Sequence, residues 1–176
     1  MVRPSRIVTA AFALAAASIV AAQAPADAEL QEQLARLFPE ATAFSPKEGQ
    51  PPHFKAFAGS AGGARELLGY AFWTTELEPL ERGYDGPIKI LTGVDTDGVL
   101  TGIVVVDHHE PYGYFSIDLP KYEVQFRRKS IRDRFRVGGD IDAVSTATLT
   151  VSSATRAVRN GARRIARQFL VPPEAR

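Results

Sequence analysis

A chain of 176 residues fits one domain of ordinary size. Its 21 basic and 20 acidic residues leave a net charge of +1, so bulk charge gives no pull toward nucleic acid or a strongly acidic partner. Cysteine is absent, which excludes disulfides, a thiolate nucleophile and an iron–sulfur cluster held by this chain alone. The charge is uneven, with an arginine-rich last third and an acidic stretch from Glu76 to Glu81, and solvated faces explain that pattern.

In chain order, Arg3 and Arg6 precede an uncharged apolar run, Ile7–Ala22, and Ala26-Asp27-Ala28 fits the A-x-A cleavage pattern. Residues 1–28 therefore read as a secretory signal cleaved after Ala28. The alternative is an uncleaved anchor, although a spanning helix wants roughly 20 apolar residues and this run is short and alanine-rich. Either way residues 29–173 are expected outside the cytoplasm as a single domain. Leu30, Leu34 and Leu37 at helical spacing predict a short amphipathic helix over 28–38, stopped by Pro39. Ser45–His53 is turn-rich, and His53–Phe57 reads as a strand. Gly59–Ala64 is glycine-rich but lacks the Lys-Ser/Thr and the following helix of a phosphate loop, so it is expected to be a turn. Glu66–Leu77, aromatic and β-branched, reads as a second strand with Trp73 in the core.

Two β-rich runs flank Asp95-Thr96-Asp97-Gly98 within Pro87–Glu110. Asp-Gly between alternating apolar residues predicts a hairpin. A calcium loop would need a third acidic ligand and a distal Glu that are missing. His108-His109-Glu110 invites a metal reading, but adjacent strand residues point to opposite faces and two ligands fall short of a site. Asp118–Phe126 can open a short helix, and Arg136–Asp140 is a turn. Leu149–Leu170 is the long helix: Val151, Ala154, Val158, Ala162, Ile165 and Phe169 make one apolar stripe, and Pro172 and Pro173 follow. The expected fold class is α+β, an antiparallel sheet with hairpins, a short N-terminal helix and a long C-terminal helix packed on the sheet.

Directly before that helix stands IDAVSTATLT, Ile141–Thr150, small and rich in hydroxyls. Asp, Ser and Thr in this position are common helix caps. No Ser lies in a G-x-S-x-G context and His is scarce, so nothing suggests hydrolysis. Asp142-Ala143-Val144-Ser145-Thr146-Ala147-Thr148, however, resembles D-x-x-[S/T]-G-A-T, the flavinylation signature of the FMN-binding domain family. That domain occurs in subunits of sodium-pumping NADH:quinone oxidoreductase, in the Rnf complex and in NosR-type membrane flavoproteins. The stretch GYDGPIKILTGVDTDGVLTGIVVVDHHEPYGYF is similar to further segments of the family. HHEPYGYF and the closing SATRAVRNGARRIARQFL look most like the NosR type.

The resemblance spans roughly Gly69 to Leu170 and implies a covalent flavodomain. Thr148 would carry FMN as a phosphodiester, installed from FAD by an extracytoplasmic flavin transferase. Asp142, Ser145 and Ala147 match the rest of the motif, and Thr146 departs from it where the commonest residue is Gly. His109, Glu110 and Tyr112 would line the flavin, with Tyr114 and Phe115 also available to stack. Arg156, about two turns into the helix, could add positive charge for the phosphate. Ser152-Ser153-Ala154-Thr155 lacks the leading Asp, so Thr155 is no acceptor. The implied role is a redox carrier rather than an enzyme with its own substrate, periplasmic or otherwise extracytoplasmic. Its partner would be a membrane electron-transfer protein with iron–sulfur or haem centres, with no part for nucleic acid. The alternative is a flavin-free binding, sensor or assembly module that keeps the fold.

Overall fold

The computed structural model describes residues 24–59 and 64–170. The apolar run of the expected signal and most of the glycine-rich turn lie outside the described residues, as do Pro172 and Pro173. Helix α1 (Ala24–Leu37) leads into five strands, β1 (Ala43–Phe44), β2 (Phe54–Ala58), β3 (Glu66–Trp73), β4 (Lys89–Asp95) and β5 (Leu100–Asp107). Between β3 and β4 lies a single helical turn, α2 (Thr74–Leu77). A 3-10 turn at Gly113–Phe115, α3 (Pro120–Val124) and α4 (Thr148–Phe169) complete the chain.

The sheet is an antiparallel meander in the order β1-β2-β3-β4-β5. Strand period two sends alternate residues to opposite faces. Tyr70, Phe72, Ile90, Val94 and Ile103 face one cluster, which is filled by Val151, Ala154, Val158, Ala162 and Ile165 of α4. Ala71, Trp73, Leu91 and Val104 face a second cluster, filled by Leu34 and Leu37 of α1 and by Phe38. The sheet is thus covered on both sides, which explains the near-continuous apolar runs of β4 and β5. Burying each large aliphatic of the α4 stripe contributes about 1.5–3 kcal/mol. Gly161 lets α4 approach closely, since a Cβ there would collide with Cε2 of Phe72.

The Asp-Gly hairpin forms as expected. Oδ1 of Asp95 accepts the N–H groups of Asp97 (2.9 Å) and Val99 (2.8 Å), so this carboxylate closes the turn itself. The expected strand through Leu77 stops earlier, at Trp73. The buried hydroxyl of Thr74 donates to the carbonyl of Ile88 and accepts from the N–H of Ile90, both at 3.0 Å, and so turns the chain toward β4.

The acidic stretch is not simply solvated. Glu81 is held bidentately by Arg156 at 3.1–3.2 Å, Glu78 by Arg164 at 2.9 Å and Glu76 by Lys47 at 2.6 Å. These partly exposed pairs are worth at most about 1 kcal/mol each, and the two arginine pairs link α4 to the segment at and just after α2.

Candidate functional site

Helix α4 starts without a side-chain cap. Ala147 is its N-cap residue, and no Asp, Ser or Thr oxygen reaches its first turn. Ordinary capping, one expectation for the hydroxyl cluster, is therefore not what these residues do. Ala147 is small because it is buried at 2% exposure against the main core, and Asp142, Ser145, Thr146 and Thr148 remain exposed. The first helical bond runs from the N–H of Val151 to the carbonyl of Ala147 at 3.0 Å. The N–H groups of Thr148, Leu149 and Thr150 find no protein acceptor among the described residues. Unpaired N–H groups and the positive end of a 22-residue helix dipole favour an anion here.

Thr148 is the first helical residue. Its hydroxyl makes one weak contact, donating to the carbonyl of Val144 at 3.5 Å, and is otherwise open. Thr146 stands in the left-handed region at φ 70°, a conformation rare for a β-branched residue and natural for glycine. The turn it makes carries the chain from the surface at Ser145 to the buried Ala147. At the start of the motif the N–H of Asp142 donates to Oε1 of Gln125 at 2.7 Å. Asp142, Ala143 and Val144 form one wall of a cleft of about 210 Å³, opposite Ser116, Lys121 and Gln125.

Behind this helix end lies a buried carboxylate. Glu110 accepts the N–H of Tyr84 and of Asp85, both at 2.9 Å, and the hydroxyl of Thr150 in the first turn of α4. Gly83 permits this, since a Cβ there would collide with Oε1 of Glu110. Burial pushes the Glu110 carboxyl up, but the Thr150 hydroxyl, the two N–H groups and nearby His108 outweigh it and hold it below the usual range. His108 accepts the Glu110 N–H on Nδ1 (3.0 Å), which leaves Nε2 to donate to Asp118 at 2.7 Å. One side chain thus ties the exit of β5, the 83–86 loop and the start of α4 together.

Comparison with known proteins gives a family match for the stretch that contains these residues. The FMN-binding domain family matches residues 83–163, from the Gly83 loop through the motif and most of α4. Residues 83–163 match an FMN-binding domain. It is similar to a subunit of the ion-translocating oxidoreductase complex of Vibrio vulnificus, 34% identical over 44% of this chain and 42% of that protein. It is also similar to a subunit of the Na(+)-translocating ferredoxin:NAD(+) oxidoreductase complex of Acetobacterium woodii, 29% identical over 59% of this chain and 51% of that protein. A subunit of the ion-translocating oxidoreductase complex of Haemophilus influenzae is 32% identical over 57% of this chain and 49% of its own length. The chain thus spans about half the length of the curated relatives it matches.

Within the FMN-binding domain, the structure brings Thr148, Ala147, Ser145 and Glu110 to one end of α4. Asp142 lies on the adjoining cleft. His109 and Tyr112 lie in the loop after β5, Tyr112 at 46% exposure, beside Tyr114 and half-buried Phe115. β5 ends at Asp107, so the two histidines follow the strand rather than lie on it. His108 turns toward Asp118, whereas His109 has no such ion pair among the described residues. Both Glu110 oxygens are taken by protein donors, which makes it a framework group beneath the site. Arg156 is not a free cation for phosphate, because Glu81 holds it. The sequence assigns no role to Thr150, and it marks the Gly83-Tyr84-Asp85-Gly86 loop only as part of a family-like segment; its exposed Tyr84 borders the same end. The paired glycines around Tyr84-Asp85 were the available signal.

Proposed function

We propose that this chain is an extracytoplasmic electron-transfer flavodomain with FMN joined to Thr148 as a phosphodiester. The observation that carries the reading is Thr148 itself: an exposed, barely engaged hydroxyl on the first residue of an uncapped helix, beside three unpaired N–H groups. The donor set fits the group. Small neighbours leave the hydroxyl open to a bulky modifying enzyme, and the helix end suits the remaining phosphate charge. The cleft at Asp142 and the exposed Tyr84, Tyr112 and Tyr114 offer surfaces beside it for the rest of the cofactor. Attachment replaces the Oγ–H bond of Thr148 with an Oγ–P bond. A flavin transferase supplies FMN from FAD, with AMP leaving and the hydroxyl proton released.

Bound FMN would supply the redox chemistry, and the protein's part is to hold and orient it. The apolar run Ile7–Ala22 supports export. Without cysteine this chain cannot hold an iron–sulfur centre alone, so its electrons would pass to and from a membrane protein with iron–sulfur or haem centres. Kinship to the NosR branch remains part of this proposal. The flavin-free alternative rested on Thr146 in place of glycine. Thr146 takes the backbone conformation suited to glycine, so that substitution leaves the turn in place.

The test is co-production of the exported chain with a flavin transferase, followed by denaturation and removal of free flavin. Flavin absorbance stays with the wild-type polypeptide and is lost from Thr148→Ala. Colour that washes out of the denatured wild type, from a transferase active on a control substrate, would reduce the claim to non-covalent binding. A colourless folded protein would end it.

A further inference from the structure

The segment after α3 builds a second cleft, lined by other residues than the one at Asp142. Residues 129–140 border an open cleft of about 660 Å³ lined by Lys129, Arg132, Asp133, Arg134, Arg136 and Asp140. Four cations thus face two carboxylates in a chain whose total charge is +1. The carboxylates are already engaged. Asp140 accepts the N–H groups of Phe135 and Arg136 and the Lys129 ammonium, and Asp133 accepts the N–H of Ser130 at 3.0 Å. The exposed guanidinium groups of Arg132, Arg134 and Arg136 have no acceptor among the described residues.

Their arrangement has a structural cause. Phe135 adopts a left-handed backbone at φ 52° while its ring is buried at 3% exposure, and this sets Arg134 and Arg136 on either side of it, on the cleft. Arg128 at φ 65° is a second such position in the same segment. Left-handed non-glycine residues are sparse in folded proteins and gather at binding sites. The floor is fixed: Arg163 of α4 donates to the carbonyls of Ile131 and Asp133, both at 2.8 Å. Uneven charge alone would be a solvated face. Here it is concave, preformed and rich in planar donors that match phosphate oxygens.

We propose that this cleft binds phosphate-type polyanions through Arg132, Arg134 and Arg136. Neither Thr148 nor Asp142 lines it, and its floor is tied to Arg163, fifteen residues along α4 from Thr148, roughly 22 Å at 1.5 Å per residue. The same chemistry has two sources, a free condensed phosphate or the headgroups of an anionic membrane.

Two measurements on the full chain test and separate them. One is calorimetric titration with pyrophosphate at low ionic strength. The other is co-sedimentation with phosphatidylglycerol–phosphatidylcholine vesicles against phosphatidylcholine alone. R132Q/R134Q/R136Q is compared with R65Q/R82Q/R167Q, which removes the same charge from other exposed arginines. The cleft variant loses roughly tenfold or more in affinity, while the charge-matched variant stays within about twofold of wild type. Saturable pyrophosphate binding with no lipid preference identifies a free-anion site. A phosphatidylglycerol preference lost only in the cleft variant identifies a headgroup site. Absence of binding to either probe, or equal weakening by both triple variants, overturns the proposal.

Discussion

Thr146 shows how one residue can depart from a motif and keep its geometry. Glycine enters the left-handed region freely, whereas a β-branched residue there carries strain on the order of 1–3 kcal/mol. Thr146 sits at φ 70° because Ala147 is buried and the chain must turn sharply to present Thr148. Replacing Thr146 with Gly should therefore raise stability by about 1 kcal/mol after the entropy cost of glycine in the unfolded chain, read as a higher urea midpoint with unchanged slope. A lower midpoint would show that the turn is not strained. The proposed acceptor position rests on the pattern that Asp142, Ser145, Ala147 and Thr148 keep. The conformation of Thr146 was not legible, since nothing in a Ser-Thr-Ala run announces a positive φ.

At the scale of elements, Glu110 decides how the end of β5, the 83–86 loop and α4 meet. Glu110→Gln should destabilise the fold by about 2–3 kcal/mol at neutral pH, because an amide cannot accept three donors on the same two atoms and turns its own N–H groups toward N–H groups. The sign with pH follows from the lowered carboxyl. The stabilisation is complete above the ordinary glutamate value of 4.5 and is lost as pH falls through the lower folded-state value. The gap between Glu110→Gln and wild type should close as pH drops below that value, in denaturant melts at a series of pH values. A constant gap would place the effect elsewhere. Periodicity made β4, β5, α1 and α4 readable, and the Asp-Gly pair made their hairpin readable. Two-residue β1 and the α2 turn were not, because a hydroxyl bridge from Thr74 to β4 is a tertiary event with no local signature.

For the whole molecule, the two helices on opposite faces of the sheet set the stage for the site. The stripe on α4 was legible as covering one face. That α1 covers the other follows only from where Leu34 and Leu37 land on the far side of β4 and β5. Gly161→Val should cost about 1–3 kcal/mol by lifting α4 from Phe72, seen as a lower thermal midpoint, whereas an unchanged midpoint would mean the layers can slide apart freely. The pairing of acidic Glu78 and Glu81 with Arg164 and Arg156 was likewise invisible in a linear charge pattern, since 86 and 75 residues separate the partners. This scaffold leaves the Thr148 hydroxyl exposed on the first turn of an uncapped helix.

Peptide mass mapping of the exported protein, matured with an active flavin transferase, addresses that hydroxyl directly. The expected result is a gain of one FMN less one water on the peptide that holds Thr148, with fragment ions placing it there and not on Ser145, Thr146 or Thr150, retained in Thr148→Ser and lost in Thr148→Ala. An unmodified Thr148 in folded protein, from a transferase that modifies a control substrate, would contradict it.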